Sequence, residues 1–181
     1  MSRTTRWFSS ATCLAWSLAA AVAMGQSPSV LYTWDGAADI DEWKKNFGTN
    51  DVLLDNNVPG QLRIVEIGTP GADVAISDGA NRRLETSTAS GGLDLTGLDF
   101  LEFDLGHNGC GPVDVQFYIQ GSLGFTYVAL GPDVAVGPGV NTYQLPLAGL
   151  TFEQQVYIRT VGFNVRDHAA AGNLVWTLEE V

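Results

Sequence analysis

The 181-residue sequence is short of cations, cysteines, histidines and long apolar runs. It holds nine Lys+Arg against twenty Asp+Glu, for a net charge of −11. A chain this acidic repels phosphate backbones and anionic lipid surfaces, which argues against nucleic acid and anionic membrane surfaces as partners. Of the two cysteines, Cys13 lies in the N-terminal segment and only Cys110 lies beyond it. A domain with one cysteine forms no internal disulfide. Two histidines, His107 and His168, are present, but no G-x-S-x-G, H-E-x-x-H or C-x-x-C spacing accompanies them. The motifs of serine hydrolases, zincins and dithiol redox proteins are therefore missing.

The main apolar run, Cys13 to Met24, has 12 residues; a membrane span needs about 20. Arg3 and Arg6 precede it, and small residues follow. This is the pattern of an export signal over residues 1–25, cleaved after Ala23 or Gly25. Cys13 makes a poor lipid-acceptor site, because Ser10-Ala11-Thr12 lacks an aliphatic residue. The expected mature chain, 26–181, keeps all twenty acidic residues and seven basic ones, a net −13. It has the size of one domain and is large enough to fold without covalent staples. Bacterial secretion, with no membrane insertion after cleavage, is the expected location.

What the sequence has in quantity is alternation. Side chains in a strand point to opposite faces with period two. Leu101, Phe103 and Leu105 alternate with Glu102 and Asp104. Val113, Val115, Phe117 and Ile119 alternate with Asp114, Gln116, Tyr118 and Gln120. The glycine-rich stretch between them suggests a hairpin. Further strands are predicted at 30–34, 52–54, 61–67, 72–77, 125–136, 140–147, 157–165 and 173–181, separated by turn signals. Ile40, Trp43 and Phe47 fall at helical spacing, with Asp39 and Glu42 as a capping pair, which predicts one short N-terminal helix over 39–47 with Trp43 as a core plug. Residues 78–92 read as a long loop carrying the solvated pair Arg82 and Arg83. No period repeats, so propellers and solenoids are out. The fold class is all-β: a two-sheet antiparallel β-sandwich, or jelly roll, with that one helix.

Several segments together carry a resemblance: Trp34-Asp35-Gly36, Gly60-Gln61-Leu62, LDLTGLDFLEFDL, VDVQFYIQ, NTYQLPLAGL, YIRTVGFNV and the closing LVWTLEEV. Over residues 30–181 the chain resembles the galactose-binding-like β-jelly rolls of bacterial carbohydrate-binding modules. It is most similar to secreted versions that often carry a C-terminal PEP-CTERM sorting tail. The given sequence ends with the last expected strand at Val181, and no such motif is found within it. The resemblance implies a non-catalytic module that binds polysaccharide or a cell-surface glycan. It also implies a structural calcium where the first and last strands meet, with Asp35 and either Glu179 or Glu180 as carboxylate ligands.

The polar phases supply the expected ligand face: Glu102, Asp104, Gln116, Tyr118, Gln120, Asn164 and Arg166. If their strands share a sheet, these side chains form one surface. Amide, carboxylate and guanidinium groups match sugar hydroxyls, and Tyr118 supplies a ring, with Tyr127 or Tyr143 to assist. The bland reading is a solvated sheet face, as most sandwiches have. Two other functions stay open: a structural exoprotein or adhesin domain without a glycan site, and a small jelly-roll lyase or hydrolase using His107 or His168 with Asp167. Cys110 sits between glycines with no activating neighbour in sequence.

Overall fold

The computed structural model describes residues 30–36, 40, 43–69, 72–78, 92–121, 124–166, 174–179 and 181. The expected export signal, the capping pair Asp39 and Glu42, the Arg82–Arg83 loop, Asp167, His168 and Glu180 lie outside them. The described elements are β1 (Trp43–Gly48), β2 (Asp51–Val58), β3 (Gln61–Ile67), β4 (Val74–Asp78), β5 (Phe100–His107), β6 (Val113–Gly121), β7 (Thr126–Ala129), β8 (Val134–Val136), β9 (Asn141–Pro146), α1 (Phe152–Val156), β10 (Ile158–Val165) and β11 (Val175–Leu178). No helix among them is long and apolar enough to cross a membrane.

The strands form two antiparallel sheets packed as a sandwich. Sheet A runs β1-β4-β10-β6-β7, with β8 pairing the other half of β6; sheet B runs β2-β3-β11-β5-β9. The core lies between them, where one phase of every long strand points inward. Leu101, Phe103, Leu105, Val115, Phe117, Ile119, Val161, Phe163, Val165 and Trp176 are all buried, as their alternation predicts. Rings cross the core in contact: Phe103 on Phe117 with centroids 4.8 Å apart, and Phe163 on Trp176 at 6.0 Å.

The expected strand 125–136 is two, β7 and β8, each pairing separately with β6, and three further local expectations give way. First, β5 and β6 do not form a hairpin. β5 pairs with β9 and β11 in sheet B, while β6 pairs with β10, β7 and β8 in sheet A. The glycine-rich connection is an arch between sheets, and alternation alone does not distinguish an arch from a hairpin. Second, 43–48 is strand rather than helix. Trp43 is the core plug expected, at 1% exposure, but its strand is the edge of sheet A beside β4. The helical spacing of Trp43 and Phe47 arises from a β-bulge between Lys45 and Phe47, which inserts one extra residue and moves Phe47 to the opposite face. The short helix is α1, headed by a capping box in which Thr151 and Gln154 satisfy each other's backbone N–H groups. Third, 30–34 is not a strand. Its backbone still reaches the C-terminus, as Leu31 N donates to Val181 O at 2.6 Å. Trp34 is fully buried with φ +48°, a left-handed backbone that only tight surroundings hold in a non-glycine residue. Asn56 Nδ2 donates to its carbonyl at 2.7 Å.

Candidate ligand-binding face

The outward phase of sheet A has a floor of small residues. Ala75 and Ser77 of β4 face outward between the edge strand and β10, and Gly162 of β10 lies opposite both Ser77 and Tyr118. A side chain at Gly162 has no room, since a Cβ there would sit 2.4 Å from Ile76 O and 2.6 Å from Ser77 Cβ. Strands β1 and β6 are three spacings apart, roughly 14 Å. Across that low floor Phe47 of β1 nonetheless reaches Tyr118 of β6, with ring centroids 6.0 Å apart. Side chains from both sides of the sheet therefore meet over that floor.

Tyr118 is the hub of this face and lies beneath it. Tyr127 of β7 stacks on it at 4.8 Å and 24°, and Phe47 closes the third side against Tyr127 at 6.2 Å. Tyr118 is fully buried, whereas Phe47 and Tyr127 keep 40% and 38% of their surface exposed. Burial pushes the Tyr118 hydroxyl up to about 12, against the smaller opposing pull of hydrogen bonds from Ser77 and Asn46. The Asn46 amide donates to Tyr118 Oη at 2.9 Å and to Gln120 Oε1 at 3.1 Å. The exposed rings of this face are therefore Phe47 and Tyr127, with Tyr118 as their support.

At one end, Arg166 is held by ion pairs to Asp73 and Asp133, each at 3.4 Å, and donates to Gln116 Oε1 at 2.5 Å. Gln116 also accepts from Tyr127 Oη at 2.7 Å and donates to Asp133 at 2.9 Å. Asn164 is buried at 2% exposure beneath this cluster. At the other end is a depression of about 410 Å³ lined by Lys44, Lys45, Asn46, Ser77, Asp78, Gln120, Phe125 and Thr160. The Arg159 guanidinium lies 3.4 Å over the Phe125 ring, at a second bulge between Ile158 and Thr160.

The structure thus divides the seven expected ligand residues. Gln116, Tyr118, Gln120, Asn164 and Arg166 belong to this face, and of these Tyr118 and Asn164 are buried. Glu102 and Asp104 belong to sheet B, on the opposite side of the sandwich. There Glu102 accepts from Gln144 at 2.9 Å and Asp104 accepts from Thr142 of the neighbouring strand. Asp104 and Arg166 therefore do not bracket one ligand. Of the assisting tyrosines, Tyr127 joins the face; Tyr143 packs on Phe117 at 5.8 Å, and its hydroxyl accepts from Gly137 N. The sequence reading missed Lys44, Asn46, Phe47 and Phe125. Lys44 and Phe47 come to share a face only through the β1 bulge, for which sequence spacing holds no signal beyond a broken alternation.

The remaining candidates are placed as follows. Asp35 is exposed, and Glu179 accepts from Gln61 Nε2 at 2.8 Å. Among the described residues no group of three or more His, Cys, Asp or Glu side chains is positioned to hold a metal ion. His107 is buried on Trp176; its Nε2 lies 3.0 Å from Val136 O, and its Nδ1 accepts from Gly109 N at 3.0 Å. Both nitrogens are occupied, which leaves neither for acid–base work. Cys110 is exposed and free.

No family model matches the sequence, and no curated protein matches it. Solved structures do match its shape. An agarase, AgWH50C, superposes with a TM-score of 0.55 at 11% identity, over 83% of this chain and 23% of that one. An exo-beta-agarase gives 0.54 at 9% identity, over 83% and 24%. A variant of the family 29 carbohydrate-binding module CBM29-2, complexed with cellulohexaose, gives 0.50 at 14% identity, over 84% and 87%. The chain spans about a quarter of the length of the two agarases and most of the length of the binding module. What it shares with all three is the fold, the two-sheet β-jelly roll that its alternation predicts.

Proposed function

We propose that the protein is a non-catalytic carbohydrate-binding module, exported from the cell, and that it holds a glycan chain on the outer face of sheet A. The observation that carries this reading is the pair of half-exposed rings, Phe47 and Tyr127, standing over a buried third ring and flanked by Gln116, Gln120 and Asn46. Aromatic rings left partly exposed on an otherwise polar sheet face offer apolar area to the faces of a pyranose, and amides beside them match its hydroxyls. The shared fold with a module complexed with cellulohexaose supports the same reading. The occupied His107 nitrogens argue against turnover.

Affinity electrophoresis against a panel of neutral and acidic polysaccharides tests it. Retardation of the wild type is expected with at least one glycan, and Tyr127→Ala should abolish it while Gln144→Ala on sheet B leaves it intact. No retardation by any glycan, or a Tyr127→Ala variant that binds as the wild type does, would return the face to plain solvated surface. Export rests on residues 1–25: N-terminal sequencing of protein from the medium should begin near Met24 or Gln26, and an intact Met1 would defeat it. A calcium ion held by Asp35 with Glu179 or Glu180 is a separate proposal. It requires chelation to lower the melting temperature and calcium to restore it; equal melting in both removes it.

A further inference from the structure

Cations are scarce in this chain and unevenly spread. The described residues include five: Lys44, Lys45, Arg63, Arg159 and Arg166. Arg63 sits on sheet B, paired to Asp55 at 2.6 Å; the other four border the outer face of sheet A. Arg166 is neutralised at one end by Asp73 and Asp133. Lys44 and Lys45, the only lysines in the sequence, line the depression at the other end. Lys45 pairs with Asp51 at 2.8 Å, an aspartate 79% exposed to solvent. Lys44 is exposed, stands opposite Ser77 in register and has no ion-pair partner among the described residues. Asp78 is the acid that lines the depression. It is 1% exposed, and its oxygens accept from Tyr32 Oη and from Val161 N, so its charge is turned into the protein.

We infer that this depression receives the anionic substituent of a charged sugar, a uronate carboxylate or a sulfate ester, so that the glycan bound on sheet A is an acidic polysaccharide. The inference rests on the carbohydrate-binding reading and narrows its ligand class. Two bulges flank the depression: the one in β1 falls beside Lys44, Lys45 and Asn46, and the one in β10 falls beside Thr160, where Arg159 lies over the lining ring of Phe125. Its volume of about 410 Å³ falls within the roughly 300–1,000 Å³ of small-ligand sites. The lining supplies ammonium, amide and hydroxyl donors, the set that satisfies the several acceptor oxygens of a carboxylate or sulfate. The net charge of −11 sets the spacing of those anions. A densely charged polymer would be repelled by the rest of the surface, while one with charges separated by neutral sugars can place one of them here.

Titration calorimetry with three sets of oligosaccharides, neutral, uronate-bearing and sulfated, decides the matter. At low salt at least one charged set should bind about tenfold tighter than the neutral set, with the gap shrinking at about 0.15 M salt. A response to uronates alone names the carboxylate as the substituent, and a response to sulfated sugars alone names the sulfate. Lys44→Gln should lose about tenfold toward the charged set and nothing toward the neutral one, and Arg63→Gln on sheet B should change neither. If neutral and charged sets bind equally, or if Lys44→Gln binds the charged set as the wild type does, the inference fails while the binding reading stands. If no set binds, both fail.

Discussion

On sheet B the outward phase meets its neighbours strand by strand. Glu102 faces Gln144, Asp104 faces Thr142 and Arg63 faces Asp55, each bonded across one pair of strands. On sheet A the outward phase is gathered. Tyr118 is opposite in phase to the core just as Glu102 is, yet it is fully buried because residues from both edges of the sheet close over it. Both faces begin as polar–apolar alternation. They differ in their floor, which is small on sheet A (Ala75, Ser77, Gly162), and in the bulge that turns Phe47 outward. A polar strand phase is gathered in this way only where the neighbouring strands leave a low floor and supply rings to cover it.

The sharpest way to break this comparison is to truncate adjacent residues that point in opposite directions. Phe117 and Tyr118 are consecutive, one in the core and one outside, and both are buried. Phe117→Ala should cost about 3–5 kcal/mol in urea melts, and Tyr118→Ala should approach the lower end of that range. A Tyr118→Ala cost under about 1 kcal/mol would mean that sheet A is as open as sheet B.

Alkaline titration is the next largest effect. The Tyr118 hydroxyl is raised from about 10 in the unfolded chain to about 12 in the folded one, chiefly by burial. A group whose folded value is raised contributes stability that is complete below the unfolded value and lost as pH climbs through the folded one. Stability should therefore fall between about pH 10 and pH 12, by about 2–3 kcal/mol from this group. Tyr127 is shifted the same way by burial. Tyr118→Phe should flatten the fall; an unchanged fall would assign it to other groups.

The smallest effect is expected on sheet B. Glu102→Ala and Gln144→Ala each should shift stability by no more than about 0.5 kcal/mol, because both side chains are exposed and their bond competes with water. A loss above about 2 kcal/mol from either would show that sheet B is also a built surface.

The fold was legible because period-two alternation in Leu101–Leu105, Val113–Ile119 and Val161–Val165 is a local signal, and every inward residue it named is buried. The site was legible in part. Gln116, Gln120 and Arg166 lie on one face as their phase requires, but the same phase also named Glu102 and Asp104, which the sandwich puts on its other side. Phase assigns a residue to the outside of its own sheet and carries no information about which sheet that is. Lys44 and Phe47 were missed for a related reason: a bulge breaks the period at the point where it redirects a side chain.

Composition and alternation by themselves determined an acidic, all-β sandwich and the membership of its core, because hydrophobic burial acts on each strand whatever its neighbours are. Only the tertiary structure decided that β5 and β6 part company, that Tyr118 lies beneath Phe47 and Tyr127, and that Lys44 and Lys45 border one depression. Backbone ladders pair any strand with any other. The choice among pairings comes from how the whole set of strands closes over the core, and no single segment encodes it.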